Sequence, residues 1–240
     1  MLEQGRDFAE ESEAEGAGII ESARISRTVR FVRSPRLVER SDAHRPPSLW
    51  LLFHGYAESA PGFFENCQPL LVASGLPGLA PEGASRFYSR SGAGDVVASW
   101  MTKVERHSEI TEYLRFIDGL VDRYLPDQQS SLRILGFSQG VATALRFAAH
   151  TDRPITDLVL WSAGFASDEL AEIGDHLRST GRITLVTGEN DRLVPKKTVD
   201  RLADDLVSLG IVPTILNHAG RHELDEELLV RIGERKPESQ

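Results

Sequence analysis

Residues 136–140 read Gly-Phe-Ser-Gln-Gly. A serine hydroxyl is a poor nucleophile until a base takes its proton, so chemistry at Ser138 requires a histidine and a group to orient it. The Gly-x-Ser-x-Gly spacing suits such a serine. It sets the residue on a sharp strand-to-helix turn, and the glycines let strand and helix pass closely. The plainer reading is a structural turn between "SLRILGF" and "QGVATALRFAAH"; it gives way once partners for the serine are found.

Seven histidines are available: 44, 54, 107, 150, 176, 218 and 222. When a strand–Gly-x-Ser-x-Gly–helix elbow of the hydrolase arrangement carries this chemistry, the chain order is serine, then acid, then histidine, each in a loop after a strand. His44, His54 and His107 precede the serine. His150 closes the helix that starts beside Ser138 and so faces the wrong end of the sheet, and His176 comes before any suitable acid. His222 lies in the loop between "TILNHAG" and the last helix, where a base belongs; His218, still within the strand's end, is the alternative. For the acid, "RITLVTGEND" offers Asp191, with Glu189 as the alternative. A cap for the following turn is the ordinary use of such an aspartate.

An oxyanion formed at Ser138 needs N–H donors. The expected pair is the backbone N–H of Gln139, in the first turn of the helix, and that of Tyr56 in "FHGYAES", where Gly55 permits close approach. His54 is expected to fix that loop by hydrogen bonds. Trp100, Met101 and Phe165, from loops at the same end of the sheet, are expected to line a modest apolar acyl pocket.

The elements that must position these residues alternate along the chain. Strands are expected over residues 28–34, 48–56, 85–90, 131–137, 157–165, 182–191 and 213–220, with "RLVER" (36–40) as a hairpin partner of the first. Helices are expected over 61–74, 107–125 with Ser108 as a cap, 139–150, 167–177, 196–210 and 222–235, and a loop over 91–100. Such alternation implies one α/β domain over residues 23–237, a mostly parallel sheet covered by helices on both faces, with no length for a large lid. Residues 1–22, acidic and poor in aromatics, read as a disordered tail.

Composition narrows the function further. With 27 basic and 36 acidic side chains the net charge is −9, which argues against a nucleic-acid partner. No apolar run approaches a membrane span, so stable membrane insertion is not expected. One cysteine, Cys67, precludes an internal disulfide and suits a reducing, cytoplasmic setting. The chemistry calls for neither metal nor organic cofactor, and a homodimer is left open.

The motifs also carry a family likeness. "GFSQG" with its following helix, "LVLWSAG", "TGENDRLVP", "AGRHEL" and "LLFHGY" resemble segments of the phospholipase/carboxylesterase family of α/β-hydrolases, which includes acyl-protein thioesterases. The resemblance spans roughly residues 47–235. It implies an α/β-hydrolase fold and assigns Asp191 as the acid and His222 as the base. Trp100 corresponds to an aromatic near the family's acyl pocket. The implied activity is hydrolysis of small or medium carboxylic esters or thioesters through an acyl-enzyme on Ser138. An acyltransferase on the same three residues is the alternative, and a non-catalytic binding protein on this scaffold a weaker one. Ala163, the Tyr56-Ala57-Glu58-Ser59 turn and Arg221 depart from the family pattern and bear on substrate identity.

Overall fold

The computed structural model describes residues 31–33 (backbone only), 48–89 and 94–236. The expected hairpin partner at 36–40 and the tail at 1–22 lie outside the described residues. The main sheet contains β1 (Phe31–Arg33), β2 (Ser48–Phe53), β3 (Gly78–Pro81), β6 (Ser131–Phe137), β7 (Ile155–Trp161), β8 (Arg182–Gly188) and β9 (Thr214–His218). Its order is β1-β3-β2-β6-β7-β8-β9. β1 runs antiparallel to β3, and every other pair is parallel. Two short strands, β4 (Ser85–Tyr88) and β5 (Val96–Ser99), form a separate antiparallel ribbon.

Side chains alternate across the central strands, as the two-residue period requires. Leu49, Leu51, Phe53, Leu132, Ile134, Leu158 and Leu160 face one layer. Trp50, Leu52, Leu135, Phe137, Val159 and Trp161 face the other. The first layer is covered by α3 (Arg106–Tyr124), α4 (Gln139–His150), α5 (Ser167–Leu177) and α6 (Lys196–Ser208). The second is covered by α1 (Ala60–Asn66), α2 (Gln68–Ser74) and α7 (Glu226–Gly233). Central strands buried on both faces explain the unbroken apolar run of residues 49–53. Among the described residues no helix is long and apolar enough to cross a membrane.

Four local expectations are corrected. The helix expected over 61–74 is two, broken at Cys67. Pro69 sits at the start of the second, where a missing N–H costs nothing; one continuous helix would set its ring against the carbonyl of Glu65. β3 has no counterpart in the sequence reading, because "GLAP" begins and ends in turn-type residues. Gly78 is needed there, since a Cβ would stand 2.7 Å from the side chain of Leu71. The loop expected over 91–100 contains β5. The long third helix starts at Arg106, with Glu105 in a left-handed conformation before it, and Ser108 lies inside.

Candidate active site

Ser138 follows the last residue of β6 and precedes the first of α4. Its backbone has φ 52° and ψ −119°, a left-handed conformation that costs a non-glycine residue about 1–3 kcal/mol. The two glycines are there for space. A Cβ on Gly140 would lie 2.1 Å from the carbonyl oxygen of Phe53, and one on Gly136 would lie 2.5 Å from that of Gly140. The elbow is therefore wedged between β2 and its own helix, which holds the strained serine at the carboxyl edge of the sheet.

The loops after β8 and β9 bring the acid and the histidine to it. Glu189 N–H donates to the His218 carbonyl (2.8 Å), and Asn190 N–H to that of Gly220 (3.0 Å). The Asn190 side chain adds a bond to the Ala219 carbonyl at 2.7 Å. Between these loops His222 Nε2 lies 2.9 Å from Ser138 Oγ, and Nδ1 lies 2.8 Å from Asp191 Oδ2. A carboxylate only accepts, so Nδ1 carries the proton and Nε2 is left to accept from the serine. Asp191 Oδ1 accepts from the N–H groups of Leu193 (2.9 Å) and Val194 (2.8 Å). The expected turn cap and the histidine partner are thus one residue using two oxygens. Burial pushes the Asp191 carboxyl up, but the bonds from Val194, His222 and Leu193 outweigh it and hold the group below the usual aspartate range.

The alternatives separate cleanly. His218 is buried against Trp161, ring centroids 5.7 Å apart, and neither ring nitrogen has a hydrogen-bond partner among the described residues. Glu189 is exposed. Ser162, the serine that follows β7, is fully buried and out of reach of a substrate.

The loop after β2 is held from three sides. His54 is fully buried; its Nε2 accepts from Gly83 N–H (3.0 Å), so Nδ1–H donates to the Gly55 carbonyl (2.7 Å). Burial depresses the imidazole's pKa, consistent with the neutral ring these bonds require. β5 bridges to the same loop: Ala57 N–H donates to the Ala98 carbonyl (3.0 Å), and Ala98 N–H to that of Glu58 (2.9 Å). The Glu58 carboxylate accepts from Gly55 N–H at 2.5 Å, and its burial raises its pKa. Tyr56 N–H, between these restraints, makes no hydrogen bond among the described residues. Gln139 N–H sits in the first helical turn, where no carbonyl stands behind it.

Ser138 lines one cleft and His222 another. One, of about 330 Å³, is lined by Met101, Ser138, Gln139, Ala142, Thr143, Arg146, Ala163, Gly164, Leu193, Val194 and Thr198. The other, of about 480 Å³, opens beside His222 and is rimmed by Glu58, Glu65, Glu223 and Glu226. Met101 stands where the sequence reading put it. Trp100 does not: it is buried in the core, stacked on His54 at 4.9 Å, and its indole N–H donates to the His54 carbonyl. It braces the loop after β2 from below. Phe165 is half-buried beneath the Arg146 guanidinium, 5.4 Å from it, behind the cleft wall.

Three contributions escaped the sequence reading. The Gln139 amide clamps the segment after β5, accepting from Trp100 N–H (3.0 Å) and donating to Ser99 Oγ (2.9 Å) and the Met101 carbonyl (3.2 Å). Glu58 and Arg146 are the others. None has a sequence signal, because each acts across 3 to 45 residues of chain on a partner fixed only by the fold.

A model of the serine hydrolase (FSH1) family matches residues 46–226. The chain belongs to that family. No curated protein sequence matches it. The fold of this serine hydrolase is α/β-hydrolase-like, as the motifs implied. It is similar to esterase PE8 (17% identity, TM-score 0.66, covering 85% of this chain and 97% of that one). It is also similar to Zea mays acyl-protein thioesterase 2 (19%, TM-score 0.59, 85% and 96%). A third similar fold is the Bacillus cereus carboxylesterase (16%, TM-score 0.57, 85% and 92%). As a member of the FSH1 family the chain is a serine hydrolase.

Proposed function

We propose that this serine hydrolase cleaves carboxylic esters or thioesters of small or medium acyl groups through an acyl-enzyme on Ser138. The observation that carries this is the single imidazole of His222 bridging Ser138 Oγ and Asp191 Oδ2 at hydrogen-bond distance. Ser138 Oγ attacks the acyl carbon while His222 Nε2 takes its proton. The same nitrogen returns that proton to the leaving oxygen or sulfur, and a water activated in the same way releases the acid. Asp191 holds the tautomer and stabilises the imidazolium that forms.

The negative oxygen of the intermediate is assigned to the N–H groups of Gln139 and Tyr56. A trans peptide sets N–H opposite C=O. Because His54 pins the Gly55 carbonyl on its own side, the Tyr56 N–H is turned away from the ring. Gly55 itself packs on Ser138: a Cβ there would lie 3.2 Å from the serine Cβ. His54 and Trp100 are positioning residues in this account. The cleft carrying Ser138 and Gln139 takes the acyl group, and the cleft beside His222 takes the leaving group. Hydrolysis of p-nitrophenyl acetate and butyrate by the full chain, and its loss in Ser138→Ala, tests the reading. Turnover undiminished in the folded variant would refute it.

A further inference from the structure

We infer that the acyl cleft ends in an anion subsite built on Arg146, selecting acyl groups whose far end carries a carboxylate. The inference rests on the esterase reading and names its substrate class. Ser138, Gln139, Ala142, Thr143 and Arg146 all line one cleft. On α4 these positions recur at three- and four-residue steps, one continuous helix face. Eight residues separate the nucleophile from Arg146, a rise of about 12 Å along the helix axis. An acyl chain leaving Ser138 along this face therefore runs toward the guanidinium.

That guanidinium is a built group. Arg146 is only 7% exposed. Its Nε and Nη2 bind Glu169 at 2.5 and 3.0 Å, and its Nη1 donates to Tyr113 Oη (3.2 Å) and Met101 Sδ (3.3 Å). Glu169 is also bound by Arg106 at 2.5 Å. Two cations thus share one carboxylate, so Glu169 neutralises Arg146 only in part; Arg106 is the more exposed of the two. Around it the cleft wall is largely apolar: Ala142, Ala163, Leu193 and Val194. A guanidinium only partly neutralised by a carboxylate it shares with a second arginine is costly in such surroundings. A plain alkyl chain long enough to reach it would strip its remaining hydration and return nothing, whereas a terminal carboxylate would make a charge-assisted hydrogen bond.

The test compares kcat/KM of the full chain for p-nitrophenyl hemiadipate, its neutral methyl ester, and p-nitrophenyl hexanoate. The expected result is a preference of about tenfold or more for the free carboxylate over both, shrinking as salt is added. Arg146→Met should abolish that ratio. Glu169→Gln, which leaves the cluster more positive, should preserve or increase it; a structural role would move both variants the same way. If Arg146→Met fails to fold by circular dichroism, Glu169→Gln and the salt series still decide. Hexanoate turned over as fast as hemiadipate overturns the subsite. If none of these esters, nor p-nitrophenyl acetate, is hydrolysed by the folded protein, the esterase reading itself has failed and the subsite falls with it.

Discussion

An imidazole that accepts from Ser138 through one nitrogen and donates to Asp191 through the other has a single productive tautomer, and that fixes what substitutions should do. His222→Ala should lower kcat/KM by about three orders of magnitude or more. His218→Ala, which removes a ring packed under Trp161, should stay within about tenfold, the order of an indirect effect. Initial rates on one ester compare them directly. Asp191→Asn should be severe for activity as well, because an amide does not enforce the tautomer. Its effect on stability depends on pH. The native Asp191 carboxyl titrates below the ordinary value, so it contributes stability above its unfolded pKa of about 3.9, which is lost as pH falls through the native value. The Tm gap between wild type and Asp191→Asn should therefore narrow on acidification, and a gap constant down to pH 3 would contradict this. Glu58 has the opposite sign. Its burial raises its pKa, so wild type should lose stability relative to Glu58→Gln as pH rises from the ordinary carboxylate range through the native value; paired melting curves across that range check it.

At the scale of elements the site depends on close passages of backbone. Gly140→Ala would place a methyl group 2.1 Å from the Phe53 carbonyl oxygen, inside any tolerable contact. The elbow must move or the helix must tilt, and we expect a loss of about 3 kcal/mol or more in denaturant unfolding. The same packing explains what could be read from sequence. The elbow, the acid and the histidine were legible because each sits at a strand end marked by glycine, and because strands buried on both faces leave long apolar runs. β3 and β5 were not legible. Each is four residues long, too short for a period to declare itself, and β3 is bounded by glycine and proline. β5 bears on the proposed oxyanion site, since it hydrogen-bonds the loop carrying the Tyr56 N–H. The misplacement of Trp100 has a related origin: its neighbour Met101 does face the cleft, and the backbone just after β5 decides which of the two turns inward.

For the molecule as a whole, the site draws on residues from His54 to His222, and among the described residues the main sheet begins with Phe31. Deleting residues 1–22 should therefore leave kcat/KM within about twofold, a small barrier change, and a larger loss would show that this segment takes part in the site. The acyl cleft, about 330 Å³, sits near the lower end of ligand pockets, so kcat/KM across unsubstituted acyl esters should peak at short or medium chains. The central claim is that Ser138 is the nucleophile, and one measurement addresses it most directly. The folded protein is incubated with a fluorophosphonate and its peptides are mapped by mass spectrometry. A single adduct on the peptide bearing Ser138, absent in His222→Ala, is the predicted result; an adduct on Ser162, or none on the wild-type protein, would contradict the account.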